Sequence, residues 1–244
     1  MRYFIVIFLL LYNTVIAANL HLKSGQNRVN IIELYTSEGC SSCPRADKWL
    51  SSLKNNDEVF KKFIPMAFHV TYWDFIGWKD TFGEVKHDNR QRYYSSNIWN
   101  KNAVYTPQFI INAKEYRRWF SFQGMPSFKK QYGGNLEVQI RDKQIKTSFY
   151  SKKIHSQEVK VNTIILGFDY AIEIKSGEND DKTLEHDFVV LKHIEQDAKI
   201  IGNKLTLKTA FPFIKKDKHS KAITVWVSDK NGQIIQAVGG YLIN

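Results

Sequence analysis

Cysteine is nearly absent from this chain, with two in 244 residues. A glycine-rich phosphate loop is missing altogether, which sets aside the nucleotide cradles that depend on one. There is no internal repeat of solenoid length and no low-complexity tract, so stacked arrays and long disordered linkers are excluded. The apolar stretch from Tyr3 to Tyr12, behind Arg2, runs about ten residues, well short of the roughly 20 that a spanning helix needs. Followed by the small-residue exit Val15-Ile16-Ala17-Ala18, it reads as a cleaved signal peptide over residues 1–18. The expected location is therefore secreted or periplasmic, an oxidising setting in which a cysteine pair can close and stay closed.

Charge of one sign is in excess, with 35 Lys and Arg against 24 Asp and Glu, a net +11. That balance suits peripheral contact with anionic surfaces of the cell envelope, such as lipid or polysaccharide, or simply a solvated basic exterior. Nucleic acid is not an expected partner. The lysines are scattered through Lys152-Lys153, Lys215-Lys216 and Lys218 instead of lining one helix.

What the chain does have is placement. Its two cysteines stand as Cys40-Ser41-Ser42-Cys43, after the apolar run Ile31-Ile32-Glu33-Leu34-Tyr35 and before a segment patterned as a helix. Two cysteines dropped at random would take this spacing in about one chain in 120. A structural staple is the plain alternative, but a loop of two intervening residues removes little chain entropy. A cysteine at a helix N-terminus also meets unpaired N–H groups and the positive end of the helix dipole, and both favour a thiolate. The dipole term of about 0.3–2 kcal/mol moves a thiol by roughly one pKa unit, from about 8.5 toward neutrality. Thiol exchange follows as the leading expectation: Cys40, exposed at the first turn, attacks, and Cys43, one turn in, resolves the mixed disulfide. Ala46, Trp49, Leu50 and Leu53 supply the apolar face of the helix, with Arg45, Asp47 and Lys48 off that face. Pro44 is tolerated in the first turn, where its missing N–H had no partner.

The stretch Glu33–Pro44 (ELYTSEGCSSCP), with Ala46-Asp47, resembles the signature of a family of secreted bacterial proteins of unknown function with a thioredoxin-like domain. His69–Asp74 (HVTYWD), Gly77-Trp78-Lys79-Asp80, Arg90-Gln91 and Val104–Gln108 (VYTPQ) resemble its later motifs, and Gly177-Glu178-Asn179 with Thr183-Leu184 extends the likeness toward the C-terminus. The resemblance implies an α/β thioredoxin-like domain over residues 19–133. It also implies that Thr106-Pro107 forms a cis bond opposite the cysteines, where Thr106 can offer its backbone to a partner strand. A cis X-Pro bond costs only about 0.5–1 kcal/mol over trans, and proline at a strand start gives up no ladder bond. Thioredoxins carry a buried carboxylate six residues before the first cysteine, and that position here is Leu34. Glu33 is one step off and on a strand points to the other face.

Between Cys43 and Pro107 an aromatic-rich insertion is expected over residues 72–103, with Tyr72, Trp73, Phe75, Trp78, Phe82, Tyr93, Tyr94 and Trp99 among charged residues and a helical stretch at residues 87–92. It suits a packed lid or a peptide-binding wall. Asp74 and Asp80 belong either to the redox site or to solvated and capping positions. Beyond Gly133-Gly134 the pattern becomes short strands separated by turns, among them the hairpin signal Asn231-Gly232. Residues 134–244 are therefore expected to form a separate all-β sandwich-like domain. The acidic turn from Glu178 to Asp181 is either a solvated turn or a weak calcium site.

Three functions follow. The first is an exported thiol-disulfide oxidoreductase acting on a thiol- or disulfide-containing protein, with Cys40, Cys43, Thr106 and Pro107 as its site and no cofactor. The second is a copper-handling chaperone in which Cys40 and Cys43 are joined by His69 or His87 as soft ligands. The third is a binding protein with an inert disulfide.

Overall fold

The computed structural model describes residues 19–121, 125–214 and 217–242. The expected signal peptide at residues 1–18 and the Lys215-Lys216 pair lie outside the described residues. In chain order the elements are β1 (Leu20–Lys23), β2 (Asn30–Thr36), α1 (Cys43–Ser52), β3 (Phe63–His69), α2 (Val85–Tyr93), β4 (Gln108–Ile111) and β5 (Lys114–Tyr116). There follow β6 (Asn135–Arg141), β7 (Gln144–Tyr150), β8 (Gln157–Gly167), β9 (Tyr170–Glu173), β10 (Thr183–His186), β11 (Val189–Ile200), β12 (Lys204–Ala210), β13 (Lys221–Asp229) and β14 (Ile234–Tyr241).

An α/β thioredoxin-like domain followed by an all-β sandwich-like domain is not what forms. Strands dominate the chain, and one mixed eight-stranded sheet, ordered β14-β13-β8-β11-β3-β2-β4-β5, takes four strands from each side of residue 134. The join is β11, a strand of 12 residues whose first residue, Val189, pairs in parallel with Ala67 of β3. The strand, Val189 included, runs antiparallel to β8 with a bulge between Val190 and Lys192. Without β11, β3 would present an open edge, and pairing it satisfies that row of backbone groups. Apolar alternation in the sequence marks only Phe188–Leu191 as strand, since beyond Leu191 exposed and half-buried residues interleave and the apolar signal fades.

A second, four-stranded antiparallel sheet, β1-β6-β7-β12, covers the C-terminal half of the large sheet. Alternation along β8 and β13 serves both faces. Val159, Val161, Ile165, Ile223, Val225 and Val227 face the small sheet, where they meet Leu136, Val138, Ile140 and Phe149. Ile164, Leu166, Ala222 and Trp226 belong to the other core, shared with β2, β3 and α1. Burying a side chain the size of Trp226 contributes about 2–3 kcal/mol. The hairpin joining β9 and β10 forms a third, two-stranded sheet that reaches over α1. No helix among the described residues is long and apolar enough to cross a membrane.

Candidate functional site

The order of β2, a cysteine loop and α1 follows directly from sequence. β2 is buried along its whole length, and Thr36 ends it. The loop then tightens through Cys40 N–H to Ser37 O (3.2 Å) and Cys43 N–H to Cys40 O (3.1 Å). Cys43 is the first residue of α1 and Pro44 lies in its first turn, while Ala46 and Leu50 are buried on the inward face. Cys40 and Cys43 form a disulfide with Cα atoms 5.4 Å apart.

Two expectations fail at this point. Cys40 is not exposed: only 1% of its surface is open, and Cys43 is closed altogether. Asp47 is not off the inward face either. It stands four residues after Cys43, directly above it on the helix, and is buried with its carboxylate accepting the Thr36 hydroxyl at 2.8 Å.

The cover over Cys40 comes from two distant segments. On one side Gly39 lies against the Trp73 backbone and Ile76, so closely that a Cβ there would meet three atoms at 3.3–3.4 Å. Trp73 donates its indole N–H to the Thr106 hydroxyl at 2.7 Å, so the cysteine loop and the Thr106–Pro107 bond, which is cis, sit on either side of one tryptophan. On the other side is the turn after β9. Glu178 accepts the Ser41 N–H at 2.9 Å, and the Asn179 amide donates to Glu38 O (2.8 Å) and Cys40 O (3.0 Å). The acidic turn considered for calcium instead holds the cysteine loop.

Beneath the loop lies a buried ionisable cluster. His69 Nδ1 is 3.0 Å from both Asp80 oxygens, and Asp80 also accepts the N–H groups of Glu38 and Phe82. Glu38 Oε2 accepts from Trp78 Nε1, Thr81 N–H and the Thr81 hydroxyl. His186, at the end of β10, stacks edge-on to His69 with ring centres 4.9 Å apart. Burial alone would lower the His69 pKa, but the Asp80 charge and hydrogen bond lift it to about 9. Burial raises Asp47 to about 7 against the opposing His69 charge. It lowers His186 to about 3, with the His69 charge adding to the effect. Burial and the Asp80 charge also push Glu38 up. Of the two acids left open by the sequence, Asp80 is thus wholly buried on His69, while Asp74 accepts the Asp80 N–H at 3.2 Å.

The aromatic segment is mostly packed. Trp73 and Trp78 reach partners around the cysteine loop, Phe82 packs edge-on against His69, and of the expected aromatics Phe75 is 82% and Tyr93 40% exposed. The soft-ligand set of Cys40, Cys43 and His69 does not assemble: among the described residues, the two trios of potential donors that converge contain no cysteine. His87 donates Nδ1 to the His69 carbonyl at 2.8 Å. Sequence reasoning missed Asp47, Glu38 and His186. For His186 the signal existed, since Leu184 and His186 alternate with exposed Thr183 and Glu185.

The family described as "Protein of unknown function (DUF1223)" matches residues 31–228, and the chain belongs to it. No curated protein matches the chain. A crystal structure of protein AGR_C_4864 from Agrobacterium tumefaciens is similar over 90% of this chain and 96% of its own, with 20% identity and a TM-score of 0.61. HBP35 of Porphyromonas gingivalis is similar over 90% of this chain and 76% of its own, with 12% identity and a TM-score of 0.56. At these identities the likeness is one of fold.

Proposed function

We propose that this member of the DUF1223 family exchanges its Cys40–Cys43 disulfide with thiols of partner proteins outside the cytoplasm. The observation that carries the reading is the position of the pair, a two-residue loop closed at the first turn of α1. A partner thiolate attacks Cys40 Sγ, the bond to Cys43 breaks, and Cys43 leaves as a thiolate beside the unpaired N–H groups of the helix start. A second partner thiol then displaces Cys40, so the partner gains a disulfide and this chain holds two thiols. The reverse sequence reduces a partner disulfide by the same atoms. Thr106-Pro107, across Trp73 from the loop, is the proposed rest for the partner strand. Basic excess would aid loose, salt-sensitive contact with anionic envelope surfaces, which co-sedimentation with anionic vesicles reads directly.

Burial of both sulfurs supports a second reading, a structural disulfide. A redox titration in glutathione or dithiothreitol buffers, quenched by alkylation and read by mass at Cys40 and Cys43, separates the two. A midpoint between about −120 and −270 mV supports exchange, and one below about −300 mV without preferential Cys40 labelling supports the structural bond.

A further inference from the structure

Two imidazoles in the cluster beneath the cysteine loop carry unpaired nitrogens, and a buried carboxylate converges on them. His69 engages Asp80 through Nδ1, which leaves Nε2 as its free nitrogen, and that atom is buried with no hydrogen-bond partner. Both ring nitrogens of His186 are buried and unpartnered as well. Asp47 brings a carboxylate whose Oδ2 is held by Thr36. One donor atom from each of the three lies within 4.8 Å of the other two. They come from α1, β3 and β10, segments 22 and 117 residues apart in sequence (47 to 69, 69 to 186). Buried imidazole nitrogens are ordinarily satisfied, and their convergence on a carboxylate calls for a cation with several ligand positions.

We propose that Asp47, His69 and His186 form a binding site for a divalent transition-metal ion of the zinc type. Two imidazoles and a carboxylate, without sulfur, are a borderline donor set that suits zinc and leaves a fourth position open. In tetrahedral geometry donors about 2.0–2.2 Å from the metal stand about 3.3–3.6 Å from each other, so closing from the observed spacing takes about an ångström of side-chain adjustment. Glu38 Oε1, also buried and unpartnered, is 3.7 Å from His186 Nε2, beyond hydrogen-bonding range and close enough to fill the fourth position. The supporting shell is already built. Asp80 holds the Nδ1–H of His69 and so orients Nε2, whose proton the metal displaces, the Glu38 and Phe82 N–H groups fix Asp80, and Thr36 orients Asp47. Neither sulfur takes part, so the site stands apart from the exchange reading.

Metal binding is tested on the purified protein, stripped with chelator and with its disulfide intact, by titrating Zn²⁺ against a chromophoric chelator and recording the Co²⁺ spectrum. The expected result is one Zn²⁺ per chain, retained in the Cys40→Ser/Cys43→Ser variant, and a Co²⁺ spectrum without thiolate charge transfer. Binding should weaken by about 100-fold or more in His186→Gln and Asp47→Asn. His193→Gln, which removes a half-buried imidazole bonded to Asn162 outside the cluster, should bind as the unchanged protein does. Circular dichroism confirms folding of each variant, and if Asp47→Asn does not fold, His186→Gln decides. Absence of stoichiometric binding, binding that survives His186→Gln, or binding lost with the cysteines would overturn the proposal.

Discussion

Glu33 and Glu38 lie five residues apart, both fully buried, yet their carboxylates sit in opposite kinds of surroundings. Glu33 is saturated: Arg90 grips it with Nε and Nη2 at 2.8 and 3.0 Å, and the hydroxyls of Tyr35 and Tyr94 donate at 2.9 and 2.8 Å. Arg90 is in turn enclosed by the rings of Phe68, Tyr94 and Trp226. Glu38 has three donors on one oxygen and none on the other, with two histidines nearby that also have open nitrogens. A saturated network holds a fold in one arrangement, and it leaves no group free for chemistry. An under-satisfied one lowers stability for as long as nothing fills it, which is why it marks a place where something binds or reacts. The first ties α2 to the large sheet, and the second lies beneath the cysteines.

The sharpest way to break this contrast is to remove Arg90. Arg90→Met leaves Glu33 charged and buried without its counter-ion, and urea unfolding should report a loss of about 3–5 kcal/mol. Exchanging both partners together, Glu33→Leu with Arg90→Met, should recover most of that loss, because the cost lies in the orphaned charge. Next in size is Asn179→Ala, which takes the amide donor from the buried Glu38 carbonyl and from the Cys40 carbonyl, the latter keeping the Cys43 N–H, and should cost about 1–3 kcal/mol. The same variant should speed reduction and subsequent alkylation of Cys40, since the cover over its backbone is loosened. Unchanged labelling kinetics would show that the turn at residues 177–181 does not gate the sulfur.

A third carboxylate calibrates the pair from the sheet edge. Burial would raise the Glu115 pKa, but hydrogen bonds from Gln108, Tyr105, Arg117 and Lys101 outweigh it and hold the group down to about 2. A depressed carboxylate contributes stability that is complete above its ordinary pKa of 4.5 and is lost as pH falls through about 2. Glu115→Gln should therefore flatten the acid limb of a stability-versus-pH curve. At neutral pH its effect should be about 1 kcal/mol or less, as for partly exposed pairs. Smallest of all is His186→Leu in the metal-free protein. No hydrogen bond is lost and a buried polar ring is replaced by an apolar side chain, so the melting temperature should be unchanged or slightly raised. A large destabilisation there would mean that His186 has a partner after all.

Legibility from sequence tracked distance along the chain. The periodicity of Ala46, Leu50 and Leu53 placed α1, the charged stretch at residues 87–92 lay in α2, and Asn231-Gly232 formed the turn between β13 and β14, with Gly232 at φ +77°. Pairing across the chain was not legible. Nothing in the run from Val189 to Ile200 says that the strand pairs with β8 along its length while its first residue also joins β3, and on that junction the division into two domains failed. The cover over the cysteine loop came from Trp73, packed on Gly39, and Asn179, bonded to the Cys40 carbonyl 139 residues away (40 to 179), so no local window contained it.

By itself, then, the sequence determined the local conformations and the closing of the cysteine pair, because helix period, strand alternation and a two-residue loop are properties of adjacent residues. Tertiary structure alone decided which charges were satisfied and which were left open. Glu33 met Arg90 because α2 packs on the sheet, whereas His69, Asp47 and His186 met because β10 folds back over α1, and a carboxylate or imidazole takes its chemical character from the groups brought beside it.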